Sequence, residues 1–134
     1  MATRVLVFGT FDLLHPGHNF FLREAAKRGD ELYVVVARDS NVERLKGCRP
    51  HENEEVRLAH VAAHPSVTNA RLGYEEWEKR LQVLDDIQSD VICLGYDQKA
   101  KIPEGAYTVE RLPSFEPEKY KSSIIRANLA KSEE

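Results

Sequence analysis

The chain has 134 residues, 42% of them hydrophobic and 31% charged, which predicts one globular domain over residues 1–134. Its 19 basic and 22 acidic residues are interspersed and give a net charge of −3, which argues against a nucleic-acid-binding protein. Two cysteines are too few for a disulfide framework, and no apolar run reaches the roughly 20 residues of a membrane helix, so we expect a cytoplasmic protein that binds no membrane.

The first elements in chain order are two buried strands with a helix between them. Residues 4–8 form an apolar run ended by Gly9, which is typical of a strand buried on both faces of a parallel sheet. Residues 18–28 carry apolar side chains at helical spacing, and residues 31–37 repeat the strand pattern. Strand, helix and strand in this order predict a βαβ unit with a right-handed crossover.

The rest of the chain continues this alternation. Residues 38–53 are polar and contain Gly47 and Pro50, which predicts an irregular connection. Helices are predicted over 54–63, 74–87 and 122–131, and strands over 67–72, 91–94 and 107–112. The alternation predicts an α/β protein with an open, mainly parallel sheet and helices on both faces.

The residues that follow the first strand have the composition of a phosphate site. In an open parallel sheet, ligands bind beyond the carboxyl ends of the strands. Gly9 and Gly17 permit a close approach of the backbone, and the helix that follows offers N–H groups and a positive dipole end to an anion. His15 and His18, three residues apart, can donate hydrogen bonds to phosphate oxygens.

Two other interpretations of the histidine pair are weaker. Packed or solvated side chains would be the default for a lone histidine, but here both histidines coincide with a strand, a glycine and a helix start. Zinc ligation lacks a third ligand, because His51, His60 and His64 lie on separate segments and no H-E-x-x-H motif is present.

Two motifs near the ends of the chain carry a resemblance to a known family. Gly9-Thr10-Phe11-Asp12 with His15-Pro16-Gly17-His18 resembles the H-x-G-H signature of the cytidylyltransferase-like nucleotidyltransferases. Lys121-Ser122-Ser123-Ile124-Ile125-Arg126 resembles their second, serine-rich motif. The resemblance implies a Rossmann-like fold and transfer of a nucleoside monophosphate from a nucleoside triphosphate to a phosphomonoester, with release of pyrophosphate. It also implies Mg²⁺ carried with the triphosphate, without a dedicated protein metal site, and a homodimer.

The resemblance further implies roles for individual residues. The expected catalytic residues are His15, His18, Lys46 and Arg126. The expected substrate-binding residues are Gly9, Thr10, Phe11, Asp12, Gly17, Asp39, Arg57, Gly95, Tyr96, Asp97, Gln98, Ser122 and Ser123. Among them, Arg57 is expected near the acceptor, Asp97 near the base and ribose, and the two serines at the β- and γ-phosphates.

Several of these roles have a structural alternative. Lys46 and Arg57 could be ordinary solvated residues, and the two serines could simply cap the last helix. Asp12 and Asp39 are expected either to hold a divalent ion or the acceptor, or to stabilise turns.

Within the family, residues 36–57 and 94–98 resemble the archaeal-type FAD synthetases, which implies adenylyl transfer from ATP to FMN. Candidates for an apolar slot around the isoalloxazine ring are Phe11, Tyr96, Tyr107 and Phe115. The runner-up is cytidylyl transfer from CTP to glycerol 3-phosphate or a related polyol phosphate. A non-catalytic nucleotide-binding regulatory module is the alternative of another class.

Overall fold

A single parallel sheet organises the computed structural model, which describes residues 2–95, 98, 102–103 and 105–112. Its strands are β1 (Arg4–Gly9), β2 (Glu31–Val36), β3 (Asn69–Leu72), β4 (Val91–Leu94) and β5 (Thr108–Arg111). They lie in the order β3-β2-β1-β4-β5, and each neighbouring pair is parallel. The chain leaves β1 toward β2 and later returns to β4 on the other side, so the topological switch point lies between β1 and β4. This order confirms the predicted Rossmann-like sheet.

Helices cover both faces of this sheet. The α-helices of the described residues are α1 (Pro16–Ala26), α2 (Asp39–Lys46), α3 (Glu54–Ala62) and α4 (Gln82–Ile87). A short 3-10 turn at Trp77–Lys79 precedes α4, and none of these helices is long and apolar enough to cross a bilayer. The predicted helix over 122–131 lies outside the described residues.

Side chains of successive strand residues enter two separate cores. Val5 and Val7 of β1 point to the face covered by Leu22 of α1 and Val61 of α3, and all four are completely buried. Leu6, between the two valines, points to the opposite face and packs in a core that contains Val83 and Ile87 of α4. This period of two, with both faces buried, explains why the strands appear in the sequence as unbroken apolar runs.

Two predicted elements differ from the structure. Residues 38–53 contain the helix α2, which ends at Gly47 in the left-handed region with φ of 80°, so the prediction of a wholly irregular connection was wrong. The single helix predicted over 74–87 was also wrong, because only its last part forms α4. Trp77 belongs to neither of the two cores, and the guanidinium groups of Arg44 and Arg80 lie 5.3 and 4.3 Å from the centre of its ring.

A candidate active site at the carboxyl ends of the strands

His15 caps the amino terminus of α1. Its backbone is extended, and its Nδ1 accepts a hydrogen bond of 3.1 Å from the N–H of Gly17. Pro16 fills the first helical position, where a backbone N–H would have had no partner in the helix. In a neutral imidazole the accepting nitrogen carries no proton, so the ring proton of His15 lies on Nε2. α1 therefore starts two residues before the predicted residue 18, and His15 presents an Nε2–H donor.

His18 lies in the first turn of α1 against the ring of His15. The two imidazoles are stacked, with centroids 3.9 Å apart and an angle of 29° between their planes. The edge of Phe11 contacts His18, with centroids 5.7 Å apart, and Phe11 is only 3% exposed. The structure thus brings the two predicted catalytic histidines together. The expectation that Phe11 lines an open slot was wrong, since its ring is part of the core beneath His18.

Gly9 leaves room for this arrangement. A Cβ atom added at Gly9 would lie 2.7 Å from Cε2 of Phe11, a ring that is buried and has little space to move. We expect Gly9→Ala to lower the free energy of unfolding by about 1–3 kcal/mol, the usual cost of overpacking a core. Chemical denaturation measures this loss. The matched control is Gly73→Ala, whose Cβ would meet its nearest atom at 3.4 Å, and equal losses in the two variants would contradict the packing explanation.

Burial sets the charge state of His15. Desolvation lowers the pKa of His15 below its ordinary value of 6.5, so the folded protein holds this imidazole neutral where the unfolded chain begins to protonate it. We therefore expect the free energy of unfolding to fall as the pH drops through 6.5, and this fall to level off below the folded-state pKa.

Denaturant titrations across this pH range measure the effect. Because burial also lowers the pKa of His64, the informative quantity is the difference between the wild type and His15→Asn, which keeps a side chain able to cap the helix. His15→Asn should show a smaller loss of stability on acidification. Identical pH profiles of the two proteins would contradict the assignment of a neutral His15.

Asp12 anchors the loop between β1 and α1. Its side chain is 1% exposed, and its two carboxylate oxygens accept hydrogen bonds from the backbone N–H groups of His51 (2.8 Å) and Glu52 (3.0 Å). In the other direction, Oε1 of Glu52 accepts from the N–H of Leu13 at 3.0 Å. Of the two roles expected for Asp12, the structure shows the stabilising one. The loop is held by the segment immediately before α3.

Arg57 is completely buried in α3. Its Nη2 donates to Oδ1 of Asp39 at 2.7 Å, its Nη1 to the carbonyl of Thr10 at 2.7 Å, and its Nε to the carbonyl of Glu52 at 3.0 Å. The alternative of a solvated helix face was therefore wrong for Arg57, and its expected place near the acceptor stays a prediction. Asp39 uses its second oxygen to accept from the N–H of Glu54 at 3.2 Å, so this carboxylate too is held within the protein.

Gln98 lies at the switch point. Its Oε1 accepts from the N–H of Gly95 at 3.1 Å, and its Nε2 donates to the carbonyl of Phe8 at 3.2 Å. The side chain therefore joins the carboxyl ends of β4 and β1, on the same edge of the sheet as His15. Gly95 is further held by Arg111, whose Nη1 donates to its carbonyl at 2.7 Å.

The remaining predicted site residues either lie away from the histidine pair or fall outside the described residues. Lys46 is the exposed last residue of α2. Tyr107 precedes β5 and borders a groove of about 660 Å³ at the amino-terminal edge of the sheet, so the expectation that it lines a slot with Phe11 was wrong. Outside the described residues lie Tyr96, Asp97, Phe115, Ser122, Ser123 and Arg126.

Three charged residues beside the site escaped the sequence analysis. Nη1 of Arg38 contacts Oε2 of Glu54 at 2.7 Å, and Oε1 of Glu54 accepts from the N–H of Asp39 at 2.9 Å. Glu52, described above, is the third. Asn53 is the N-cap of α3, and its side chain accepts a hydrogen bond from the N–H of Val56. An asparagine just before a predicted helix is a capping signal, and it could have indicated from the sequence that residues 52–54 adopt a defined structure.

No group of three or more His, Cys, Asp or Glu side chains that could hold a metal ion occurs within the described ranges. The carboxylates of Asp12 and Asp39 are directed at N–H groups and at Arg57, as given above. Imidazole N–H donors and helix N–H groups suit an anionic ligand.

Comparisons with known proteins identify the family of this chain. Residues 6–128 match the sequence profile of the cytidylyltransferase-like family. The chain belongs to the cytidylyltransferase-like family. The crystal structure of a lipopolysaccharide core biosynthesis protein from Thermoplasma volcanium GSS1 matches with a TM-score of 0.77 and 34% identity, over 87% of this chain and 100% of that chain.

Several curated relatives in this family are named FAD synthase. The protein of Aciduliprofundum boonei is 52% identical over 96 residues, which cover 72% of this chain and 62% of the relative. The protein of Methanosarcina mazei is 46% identical over 116 residues (85% and 74%), and that of Methanosarcina acetivorans 49% identical over 133 residues (98% and 80%). The chain therefore spans less than two thirds of the A. boonei protein and a larger share of the other two.

Proposed function

We propose that this chain is an FMN adenylyltransferase, which transfers AMP from ATP to the phosphate of FMN and releases pyrophosphate, forming FAD. The observation that carries the proposal is the stacked pair of His15 and His18 at the start of α1, with a neutral His15 that carries its proton on Nε2. The relatives named FAD synthase support the choice of ATP and FMN within the family.

The reaction needs no nucleophile from the protein. An ionised oxygen of the FMN phosphate attacks the α-phosphorus of ATP, the new bond joins the two phosphates of FAD, and the bond to the β-phosphate breaks so that pyrophosphate leaves. The acceptor phosphate is already ionised at neutral pH, so no strong base is required. Burial raises the pKa of the Cys93 thiol to about 11, which keeps this side chain protonated and unreactive.

The chain's contribution is positioning and stabilisation of charge. Negative charge accumulates on the oxygens of the α-phosphate as the fifth bond forms, and preorganised donors that face these oxygens lower the barrier. His15 donates through Nε2–H, and the stacked ring of His18 supplies a second donor beside it. The amino terminus of α1 adds the positive end of its dipole at the same place.

The remaining phosphate contacts come from residues at the rim and near the carboxyl end of the chain. In this proposal Lys46 meets phosphates from the end of α2, and Ser122, Ser123 and Arg126 bind the β- and γ-phosphates. We also propose that Asp97 contacts the base and ribose. A divalent ion, which we propose to be Mg²⁺, arrives bound to the triphosphate, because Mg²⁺ keeps several waters and few protein ligands.

A pyrophosphate-release assay with four substrate mixtures tests this function. Purified protein and Mg²⁺ are combined with ATP or CTP, and with FMN or glycerol 3-phosphate. We expect pyrophosphate only with ATP and FMN, together with an equal amount of FAD. Release only with CTP and glycerol 3-phosphate would refute FAD synthesis, and nucleotide binding with no release in any mixture would favour a regulatory module.

The oligomeric state and location are separate proposals. We propose a homodimer in the cytoplasm, with the surface around Trp77 as part of the interface. The guanidinium groups of Arg44 and Arg80 both lie over this indole. A mass measurement in solution, on the wild type and on Trp77→Ala, tests the interface. A monomeric wild type would refute it.

A further inference from the structure

The segment before α3 and the loop after β1 hold each other through hydrogen bonds in both directions. Asp12 accepts from the backbone of His51 and Glu52, while the carboxylate of Glu52 accepts from the backbone of Leu13. Glu52 is thus the only one of these residues that contributes both a backbone donor and a side-chain acceptor to the described contacts. Its side chain is 21% exposed, and its second carboxylate oxygen, Oε2, lies 3.4 Å from Nδ1 of His60 in α3.

The loop that Glu52 contacts has an unusual backbone. Phe11 and Leu13 have φ of 53° and 52°, in the left-handed region that residues other than glycine rarely adopt. Such conformations persist only where surrounding contacts hold them in place, and they concentrate at functional sites. The bond from the N–H of Leu13 to Oε1 of Glu52 is a contact of this kind, and Leu13 stands two residues before His15.

Glu52 is itself fixed to a helix. Arg57 of α3, completely buried, donates from Nε to the carbonyl of Glu52 and from Nη1 to the carbonyl of Thr10. The backbone of Glu52 and the start of the loop are therefore joined to one rigid guanidinium. The carboxylate of Glu52 contacts the other end of the loop, at the N–H of Leu13, two residues before His15.

From these contacts we propose that Glu52 is a positioning residue for His15. Its carboxylate holds Leu13 in the left-handed conformation and thereby fixes the placement of the His15 imidazole against His18. The inference rests on the proposed function for its kinetic consequence, but the placement of His15 can be observed without any substrate.

The kinetic test compares variants that differ in reach and in charge. Glu52→Gln keeps an oxygen at the position of Oε1, whereas Glu52→Asp keeps the charge but is one methylene too short. We expect Glu52→Asp and Glu52→Ala to lower kcat by about 10–100-fold, the effect of a misplaced catalytic group, with KM for ATP and FMN nearly unchanged. Glu52→Gln should retain most of the wild-type kcat. Glu55→Ala, at an exposed position in the first turn of α3, is the control.

A spectroscopic test uses protein labelled with ¹⁵N in its histidines. In the wild type the two ring nitrogens of His15 should show the Nε2–H tautomer, because Nδ1 accepts from Gly17. This signature should persist in Glu52→Gln and be averaged or shifted in Glu52→Asp. Because Glu52→Asp keeps a carboxylate and is a mild change, it remains informative even if Glu52→Ala fails to fold.

The two tests separate the two proposals. A wild type that makes no FAD would overturn the proposed function, and the tautomer of His15 would still decide the role of Glu52. An unchanged His15 signature and an unchanged kcat in Glu52→Asp would overturn the positioning role. A loss of kcat in Glu52→Gln as large as or larger than that in Glu52→Asp would also overturn it, since the reach of the side chain would then not be what kcat depends on.

Discussion

Replacing His18 by alanine should lower kcat for FAD formation by about 10²–10³-fold, which corresponds to the 2.7–4 kcal/mol typical of one lost preorganised donor. The imidazole of His18 is stacked on that of His15 and is supported from below by Phe11, so its position is set before substrate binds. Such a donor acts mainly on the charge that develops in the transition state. KM should therefore change much less than kcat. Steady-state kinetics with ATP and FMN measure both constants.

The control for this variant is His51→Ala. His51 is exposed, and its described contact with Asp12 is made by its backbone N–H, which the substitution retains. We expect this variant to keep nearly the wild-type kcat, and both variants to unfold at similar denaturant concentrations. Near wild-type turnover in folded His18→Ala would contradict the proposed catalytic role of His18.

Replacing Arg57 by methionine should destabilise the protein by about 3–5 kcal/mol, the range found when one partner of a buried ion pair is removed. The guanidinium is completely buried, and three of its nitrogens donate, to Asp39, Thr10 and Glu52. Methionine fills much of the same volume but leaves the Asp39 carboxylate and two carbonyl groups without these donors. Chemical denaturation measures the loss, and kcat should fall as well because the loop before His15 loses an anchor.

Arg49→Met provides the comparison for Arg57→Met. Arg49 forms an ion pair of 2.7 Å with Glu43, but the side chains are 63% and 50% exposed, so solvent screens the pair. Exposed pairs of this kind contribute up to about 1 kcal/mol. Similar losses of unfolding free energy in the two variants would contradict the claim that burial makes the contacts of Arg57 more stabilising than an exposed ion pair.

The sheet could be predicted from the sequence because it is buried on both faces. Residues 4–8 and 91–94 are unbroken apolar runs, and in the structure they lie side by side as β1 and β4. The histidine pair could also be predicted, since a spacing of three residues at a helix start places both rings at one point. In the structure His15 is the N-cap of α1, and its ring stacks on that of His18.

Other features depend on contacts between distant segments, which one sequence does not reveal. Arg57 looks like a surface residue in a polar helix start, and only its three acceptors, on Thr10, Asp39 and Glu52, explain its burial. The helix α2 was missed because its burial is confined to Asn41 and Val42, too little for an amphipathic pattern. The bond between Glu52 and Leu13 joins residues 39 positions apart.

The central claim, that this chain joins the AMP of ATP to the phosphate of FMN, is tested most directly by following a radioactive phosphorus from ATP. The protein is incubated with FMN, Mg²⁺ and ATP labelled at either the α- or the γ-position, and the products are separated. We expect the α-label to appear in FAD in an amount equal to the FMN consumed, and the γ-label to appear only in pyrophosphate. Absence of the α-label from any flavin product, while the same protein consumes CTP with another phosphate acceptor, would contradict the claim.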